Sequence, residues 1–278
     1  RRLRRAQLTG RARSEVRHNV PMTANEMVAY ALEAPTELLP FLPELLADLD
    51  ELGSDAEQIA GVLRDLALPP TASVVDLGCG KGATAMAIAS ELGLRVLGIE
   101  LFEPFVAHAA ALARGAGVSP LCQFRHGDVR TMAGGLPPAD VAVFAALGDV
   151  LGDPAETMRV VRQYVRPRGY VILADVFLRE GGSVAFPGFE RYRSRVETVR
   201  GLTVWGDELL REVLEIDHED DDSDEDAAAI HRRASALAEQ HPEHRDQLLA
   251  FANYQAKANA HIAENLVDAV WVLQRSTT

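Results

Sequence analysis

Residues 74–83, Val-Val-Asp-Leu-Gly-Cys-Gly-Lys-Gly-Ala, constrain this chain more than any other segment. The apolar residues around Asp76 read as a buried strand, and three glycines at alternate positions, Gly78, Gly80 and Gly82, follow it directly. Glycine admits a left-handed backbone and has no Cβ, so the strand can turn tightly into a helix and a ligand can approach the main chain. The free amides that open such a helix favour the electronegative part of a cofactor. A strand, a glycine turn and a helix in that order begin a nucleotide-binding α/β unit. The turn alone does not choose the nucleotide, because Gly78-x-Gly80-x-x-Ala83 also satisfies the dinucleotide fingerprint.

The chain keeps this rhythm for about a hundred residues. Short apolar runs predict strands over 72–77, 95–100, 122–126, 140–145 and 169–177, with helices near 82–92, 103–115 and 153–165. Each run is nearly continuous in apolar residues, as expected of parallel strands covered by helices on both faces. Beyond Phe177 the pattern loosens into a helix near 188–200, a strand at 211–217, helices near 226–239 and 242–263, and a last strand at 267–274. Between them, 215–226 holds nine acids in twelve residues; it lacks the turn glycine of a calcium loop and reads as a solvated loop.

Ahead of the first strand, Thr23…Glu26 and Ser54…Glu57 have capping-box spacing and predict helix starts. Pro40 and Pro43 interrupt the apolar pattern of 37–52, which predicts a kinked or two-piece segment. The domain reading is a basic mobile arm at 1–21, a helical N-terminal cap at 22–68, and one catalytic domain at 69–278 with a helical insertion at about 178–266. The cap is placed either to cover a pocket or simply to pack on the sheet.

Charge narrows the partners. The first 19 residues carry a net +6, so the remainder carries −19 out of a total of −13. A strongly acidic body repels phosphate backbones, which argues against nucleic acid and for a small-molecule acceptor. No apolar run of about 18 residues suggests a membrane span. Two cysteines, Cys79 and Cys122, fit neither a disulfide framework nor a zinc site, and the expected compartment is the reducing cytoplasm.

Three acids stand at three successive strand ends. Asp76 lies where dinucleotide folds generally place an apolar residue or glycine, and a carboxylate there suits a cationic ligand group. Glu100 closes the second strand 24 residues later and can accept two ribose hydroxyls, as it would in a nicotinamide enzyme too. Asp128, in His-Gly-Asp-Val after the third strand, can accept the exocyclic amine of adenine or can merely cap a helix. All three fall on the carboxyl edge, where open α/β sheets bind ligands.

Taken together, VVDLGCGKGATA, the strand-end Glu100, HGDV and RPRGYVILAD resemble class I S-adenosylmethionine (SAM)-dependent methyltransferases over about residues 70–178. The resemblance implies a Rossmann-like, doubly wound α/β fold: a seven-stranded sheet whose last strand, here VDAVWVLQR, runs antiparallel. It implies SAM as cofactor and S-adenosylhomocysteine as product. Carried over by motif, Asp76, Gly78, Cys79, Gly80 and Gly82 would line the methionine end and Glu100 the ribose. Asp128 and Val129 would meet the adenine, Leu101 and Phe102 could pack on its face, and Ala145 would close the site from the fourth strand. Relatives that methylate amino groups of DNA, glutamine or adenine carry an Asn/Asp-Pro-Pro-aromatic motif after that strand. This chain has Ala-Leu-Gly-Asp149 instead, a departure that points to the small-molecule branch.

Methyl transfer requires alignment and desolvation more than acid–base chemistry. The candidates for a base are Asp149, on the loop after the fourth strand, and His126; turn stabilisation and a backbone contact explain them equally. Tyr30 on the first helix and Tyr192 and Arg193 in the Glu190–Arg193 cluster are the candidate substrate contacts. The apolar face of the helix from Pro242 to Leu266 can form a lid or pair two copies as a homodimer. A nicotinamide-dependent oxidoreductase and a non-catalytic SAM-binding protein are the competing readings.

Overall fold

The computed structural model describes residues 22–215 and 223–277. The expected basic arm and the middle of the acidic run lie outside the described residues. Seven strands form one sheet in the order β3-β2-β1-β4-β5-β7-β6. They are β1 (Ser73–Leu77), β2 (Arg95–Glu100), β3 (Cys122–His126), β4 (Ala139–Ala145), β5 (Val165–Leu178), β6 (Glu208–Glu215) and β7 (Leu266–Gln274). The first five are parallel, and β7 inserts antiparallel between β5 and β6, so the expected fold class holds.

The helical prelude comprises α1 (Ala24–Ala31), a 3-10 turn at Thr36–Phe41 containing Pro40, α2 (Leu42–Leu45) and α3 (Ala56–Asp65). Thr23 and Glu26 form the capping box that their spacing predicts. The second box does not form as expected. Asp55, not Ser54, caps α3 by accepting the Gln58 amide at 2.8 Å, and Glu51 accepts the Ala56 amide at 3.1 Å. A carboxylate one position later serves the orphan amides better, and Ser54 turns into the cleft described below.

Between strands run α4 (Ala83–Leu92), α5 (Glu103–Gly115) and α6 (Pro154–Val161). After β5 come α7 (Arg195–Thr203), α8 (Ser223–Gln240) and α9 (Arg245–Asn265). Helix α7 starts later than expected, because Ser194 and Glu197 make the capping box, and Glu190–Arg193 therefore lie on the preceding loop. Strand β6 begins at Glu208, three residues earlier than expected.

Each sheet face buries its own core. One holds Phe144, Met158, Leu173 and Trp271; the other holds Ile59, Ile88, Val141 and Ile172. A third cluster joins α1, α2 and the proline turn to α8 and α9 through Leu38, Leu42, Ile230 and Phe251. The apolar face of α9 is thus spent within the chain, on the cap and its neighbours. This packing holds the cap over the carboxyl edge of the sheet.

Candidate active site

A cleft of about 1040 Å³ opens at the carboxyl ends of β1, β2, β3 and β4. Nine predicted cofactor contacts, Asp76, Gly78, Cys79, Gly80, Glu100, Leu101, Asp128, Val129 and Ala145, line it. Gly82 is among the predicted contacts but not in the lining. A Cβ there would meet Ala109 and Phe124 at 2.9 and 3.0 Å, so this glycine serves helix–sheet packing. Phe102 also stays out of the lining and stacks edge-on against Phe105, whose ring is 4.9 Å away. The roof comes from the prelude: Met27, Val28 and Ala31 on α1, Leu32 at its C-cap, and residues 50–52 before α3.

The glycine loop has the backbone its sequence demands. Gly78 has φ +72°, and a Cβ on it would lie 2.3 Å from Leu147 Cδ1 on the loop after β4. Gly80 has φ +51° and gives its amide to Glu100 Oε2 at 3.0 Å, while the Phe102 amide reaches Glu100 Oε1 at 2.7 Å. A carboxylate has about four acceptor sites, so both Glu100 oxygens can still take hydroxyl donors. Burial raises the Glu100 carboxyl above its ordinary range against these amide bonds.

Asp76 is only 3% exposed, and its Oδ2 has no hydrogen-bond partner among the described residues. Burial, with the Glu100 charge second, lifts its carboxyl to about 7. An orphaned acid lining a cleft is costly unless a donor or cation completes it. The ammonium of a bound SAM would be such a partner. The orphaned oxygen, the Cβ-free loop and the strand-end Glu100 together fit that cofactor.

Lys81 extends the loop in the other direction. Its buried Nζ donates to the Leu46 carbonyl at 2.9 Å and to that of Leu49, fastening the glycine turn to the prelude. Asp128 has a partner that its motif did not announce. Arg130 grips it with Nε 3.0 Å from both carboxylate oxygens and Nη2 2.6 Å from Oδ2. Burial pushes the Asp128 carboxyl up, but the Arg130 hydrogen bonds outweigh it and hold the group low. His126 pairs its Nε2 with the Leu101 carbonyl at 2.9 Å and does not line the cleft.

The remaining predicted residues gather elsewhere. Asp149, Tyr192 and Arg193 line a second cavity of about 680 Å³ on the Trp271 face of the sheet, between β4, β5, α6 and α7. Tyr30 donates its hydroxyl to Asp149 Oδ1 at 2.5 Å. The centre of the group is Arg191, which stands 3.6 Å from both Glu33 and Asp149 and donates to Tyr192 Oη at 2.8 Å. Its guanidinium carbon lies 4.5 Å from the Tyr192 ring centroid. The Glu190–Arg193 cluster was visible in the sequence, but nothing there singled out Arg191. Asp175 went unnoticed, although a lone acid inside the apolar run Tyr170–Phe177 was a signal.

Residues 74–169 match the family model of a methyltransferase domain. The match runs from β1 to the start of β5, so the methyltransferase domain it describes lies on the parallel half of the seven-stranded sheet. Among particular proteins, the chain is similar to the uncharacterized Escherichia coli (strain K12) protein YjhP, with 27% identity over 124 residues, 45% of this chain and 50% of that protein. The match spans about half the length of that curated relative. The X-ray structure of YjhP aligns at a TM-score of 0.69 and 21% identity, covering 83% of this chain and 97% of that one. A SAM-dependent methyltransferase from Geobacter sulfurreducens, crystallised with S-adenosylhomocysteine, gives a TM-score of 0.70 at 21% identity, over 84% and 97% of the two chains. The [4+2]-cyclase SpnF also gives a TM-score of 0.70, at 17% identity over 94% and 98%. At these identities the likeness is one of fold.

Proposed function

We propose that this chain transfers a methyl group from SAM to an oxygen, nitrogen or carbon nucleophile of a small-molecule acceptor. The observation that carries the reading is that Asp76, Glu100 and Asp128, from three successive strand ends, line one cleft beside a glycine loop. When bound, SAM supplies an electrophilic methyl group whose sulfonium leaves as a neutral thioether. The work of the protein is then to hold and dry the site. Asp76 takes the cationic amino-acid end, Glu100 the ribose, and Asp128 with Leu101 and Val129 the adenine. Met27, Val28 and Leu32 exclude water from above.

The acidic body, net −19 after the first 19 residues, favours a small acceptor over nucleic acid. Cys79 and Cys122 are free and buried, which suits the cytoplasm as the compartment. Among the described residues no helix is long and apolar enough to cross a membrane. Calorimetric titration of the wild type and Glu100→Ala with SAM, S-adenosylhomocysteine and NAD tests the reading. Binding of the first two ligands, lost in the variant, is the expected result. Binding of NAD alone would overturn it.

A further inference from the structure

The cofactor contacts do not exhaust the lining of the cleft. Once Asp76, Glu100, Asp128 and their neighbours are assigned under the proposed function, one wall is left over. It runs from Met27, Val28 and Ala31 on α1 to Leu147 and Val150 on the loop after β4, and these side chains are all apolar. The segment before α3 closes it: a Cβ on Gly53 would touch Ala146 at 3.4 Å, and one on Gly80 would meet Leu52 at 3.3 Å. Residues 51–54 therefore bridge the β1 turn and the carboxyl end of β4, where the reacting end of the cofactor belongs. This wall and the cofactor contacts line one continuous cleft.

Charge decides what this part of the cleft can take. Asp50, Glu51, Asp76, Glu100 and Asp128 all line the cleft, and among the described residues of the lining Lys81 is the only cation. Its ammonium is engaged by the Leu46 and Leu49 carbonyls. Arg130 answers Asp128, the Gly80 and Phe102 amides answer Glu100, and the Lys81 charge acts on the exposed Asp50. Asp76 is the acid for the ammonium of the cofactor. Glu51, which is half-buried, has no such partner. Its Oε2 accepts the Ala56 amide at 3.1 Å, and among the described residues no hydrogen bond reaches Oε1. The charges that act on it most, Asp55, Glu57 and Asp50, are all acids.

A carboxylate or phosphate placed here would face Asp50 and Glu51 with no guanidinium in the lining to receive it. An ammonium would meet an acid with an open oxygen, beside an apolar wall for its body. We infer that the acceptor is an amine with an apolar body, bound in the cofactor cleft with its nitrogen on Glu51 and its body against Met27, Ala31, Leu147 and Val150. The inference rests on the proposed methyl transfer and names its acceptor. In the reaction the ammonium gives one proton to Glu51, whose carboxyl is raised above its ordinary range by burial first and the neighbouring acids second, against the Ala56 amide. The freed nitrogen pair forms the N–C bond as the C–S bond breaks with its pair to sulfur. The product is a methylammonium, and the proton on Glu51 passes to water.

Three probes matched in body and differing in head group test this: 2-phenylethylamine, 2-phenylethanol and 3-phenylpropanoate. Each is titrated calorimetrically into the full chain with S-adenosylhomocysteine present, using wild type and Glu51→Gln. Glutamine keeps a carbonyl for the Ala56 amide and removes only the charge, so the variant should match wild type in thermal melting and in S-adenosylhomocysteine affinity. The amine is expected to bind at least about tenfold more tightly than the other two and to lose about tenfold or more in Glu51→Gln. Hydrogen exchange on the wild type needs no variant: the bound amine should protect residues 24–32 and 50–56 beyond the protection that S-adenosylhomocysteine gives, and if Glu51→Gln melts early this measurement carries the test. Preference for the carboxylate or the alcohol, amine binding indifferent to Glu51→Gln, protection confined to other segments, or no binding of any probe would overturn the inference. The cofactor titration reports separately, so failure of S-adenosylhomocysteine itself to bind would strike the proposed function, and the inference with it.

Discussion

Replacing Asp76 with Asn should move stability and cofactor affinity in opposite directions. In the cofactor-free protein Asp76 is buried with Oδ2 unpartnered, and its carboxyl lies at about 7 instead of the ordinary 3.8. The folded chain therefore holds a proton that the unfolded chain has released between these two values. The group costs nothing below about pH 4, and folding stability falls as pH rises towards 7. At about 1.4 kcal/mol per pH unit, the full cost above pH 7 is on the order of 4 kcal/mol. Asparagine carries no charge but leaves a buried amide short of partners, which returns about 1–3 kcal/mol of that gain. The net expectation is a variant more stable by about 2 kcal/mol at pH 8, a Tm rise of about 4–8 °C, with the difference crossing zero at about pH 5 and reversing in favour of wild type by about 2 kcal/mol near pH 4.

The cofactor reverses the balance. An ammonium beside Asp76 favours the ionised carboxylate, so wild-type affinity for S-adenosylhomocysteine should weaken about tenfold per pH unit below 7, and Asp76→Asn should bind weakly at every pH. Differential scanning fluorimetry from pH 4 to 9, with calorimetry at pH 6 and 8, reads both halves. A variant no more stable than wild type at pH 8, together with a flat wild-type affinity, would falsify the claim that Asp76 is an orphaned acid awaiting a cation.

Gly78→Ala puts a methyl group 2.3 Å from Leu147 at a backbone φ of +72°, and denaturant unfolding should show a loss of about 1–3 kcal/mol with at least tenfold weaker S-adenosylhomocysteine binding by calorimetry. Lys81→Met removes the donor to the Leu46 and Leu49 carbonyls, so hydrogen exchange over residues 36–52 should rise while α6 stays protected. Arg130→Ala should leave S-adenosylhomocysteine affinity intact or improve it, because it frees Asp128 for the adenine amine, whereas Asp128→Ala should weaken it about tenfold; equal losses in both would mean that the ion pair, not the acid, shapes the pocket.

The parts of the fold that could be read from the sequence are those in which side-chain chemistry is local. Strands β1, β2 and β4 announce themselves because both faces are largely buried, so most residues are apolar and the ends are sharp, whereas the edge strand β3 keeps Gln123, Arg125 and His126 exposed. The β1 turn is readable because Gly78 needs positive φ and close approach, both set within a few residues. Helix α7 was less readable: Pro187, Gly188 and the Tyr192–Arg193 pair occupy a loop whose path is fixed by distant contacts, including the Leu178 amide bond to the Arg193 carbonyl at 2.8 Å. Ser54 and Asp55 show the same limit at one residue's scale, since either can cap and tertiary packing decides.

The candidate site divides along the same line. Asp76, Glu100 and Asp128 come from three strands whose order and register place their ends side by side, so knowing the sheet nearly gives the cleft. The second cavity draws Glu33, Asp149, Asp175 and Arg191 from four segments with no shared motif, and only the folded chain shows that one arginine answers two of these acids. Asp149 illustrates the consequence. Its position after β4 suggested a base, but an acid that accepts a tyrosine hydroxyl at 2.5 Å and faces a guanidinium at 3.6 Å is held as a charged anchor. The neighbours that fix its place come from three other segments, α1, the loop before α7 and the residues after α1, so its role is set by contacts that its own position in the sequence does not announce.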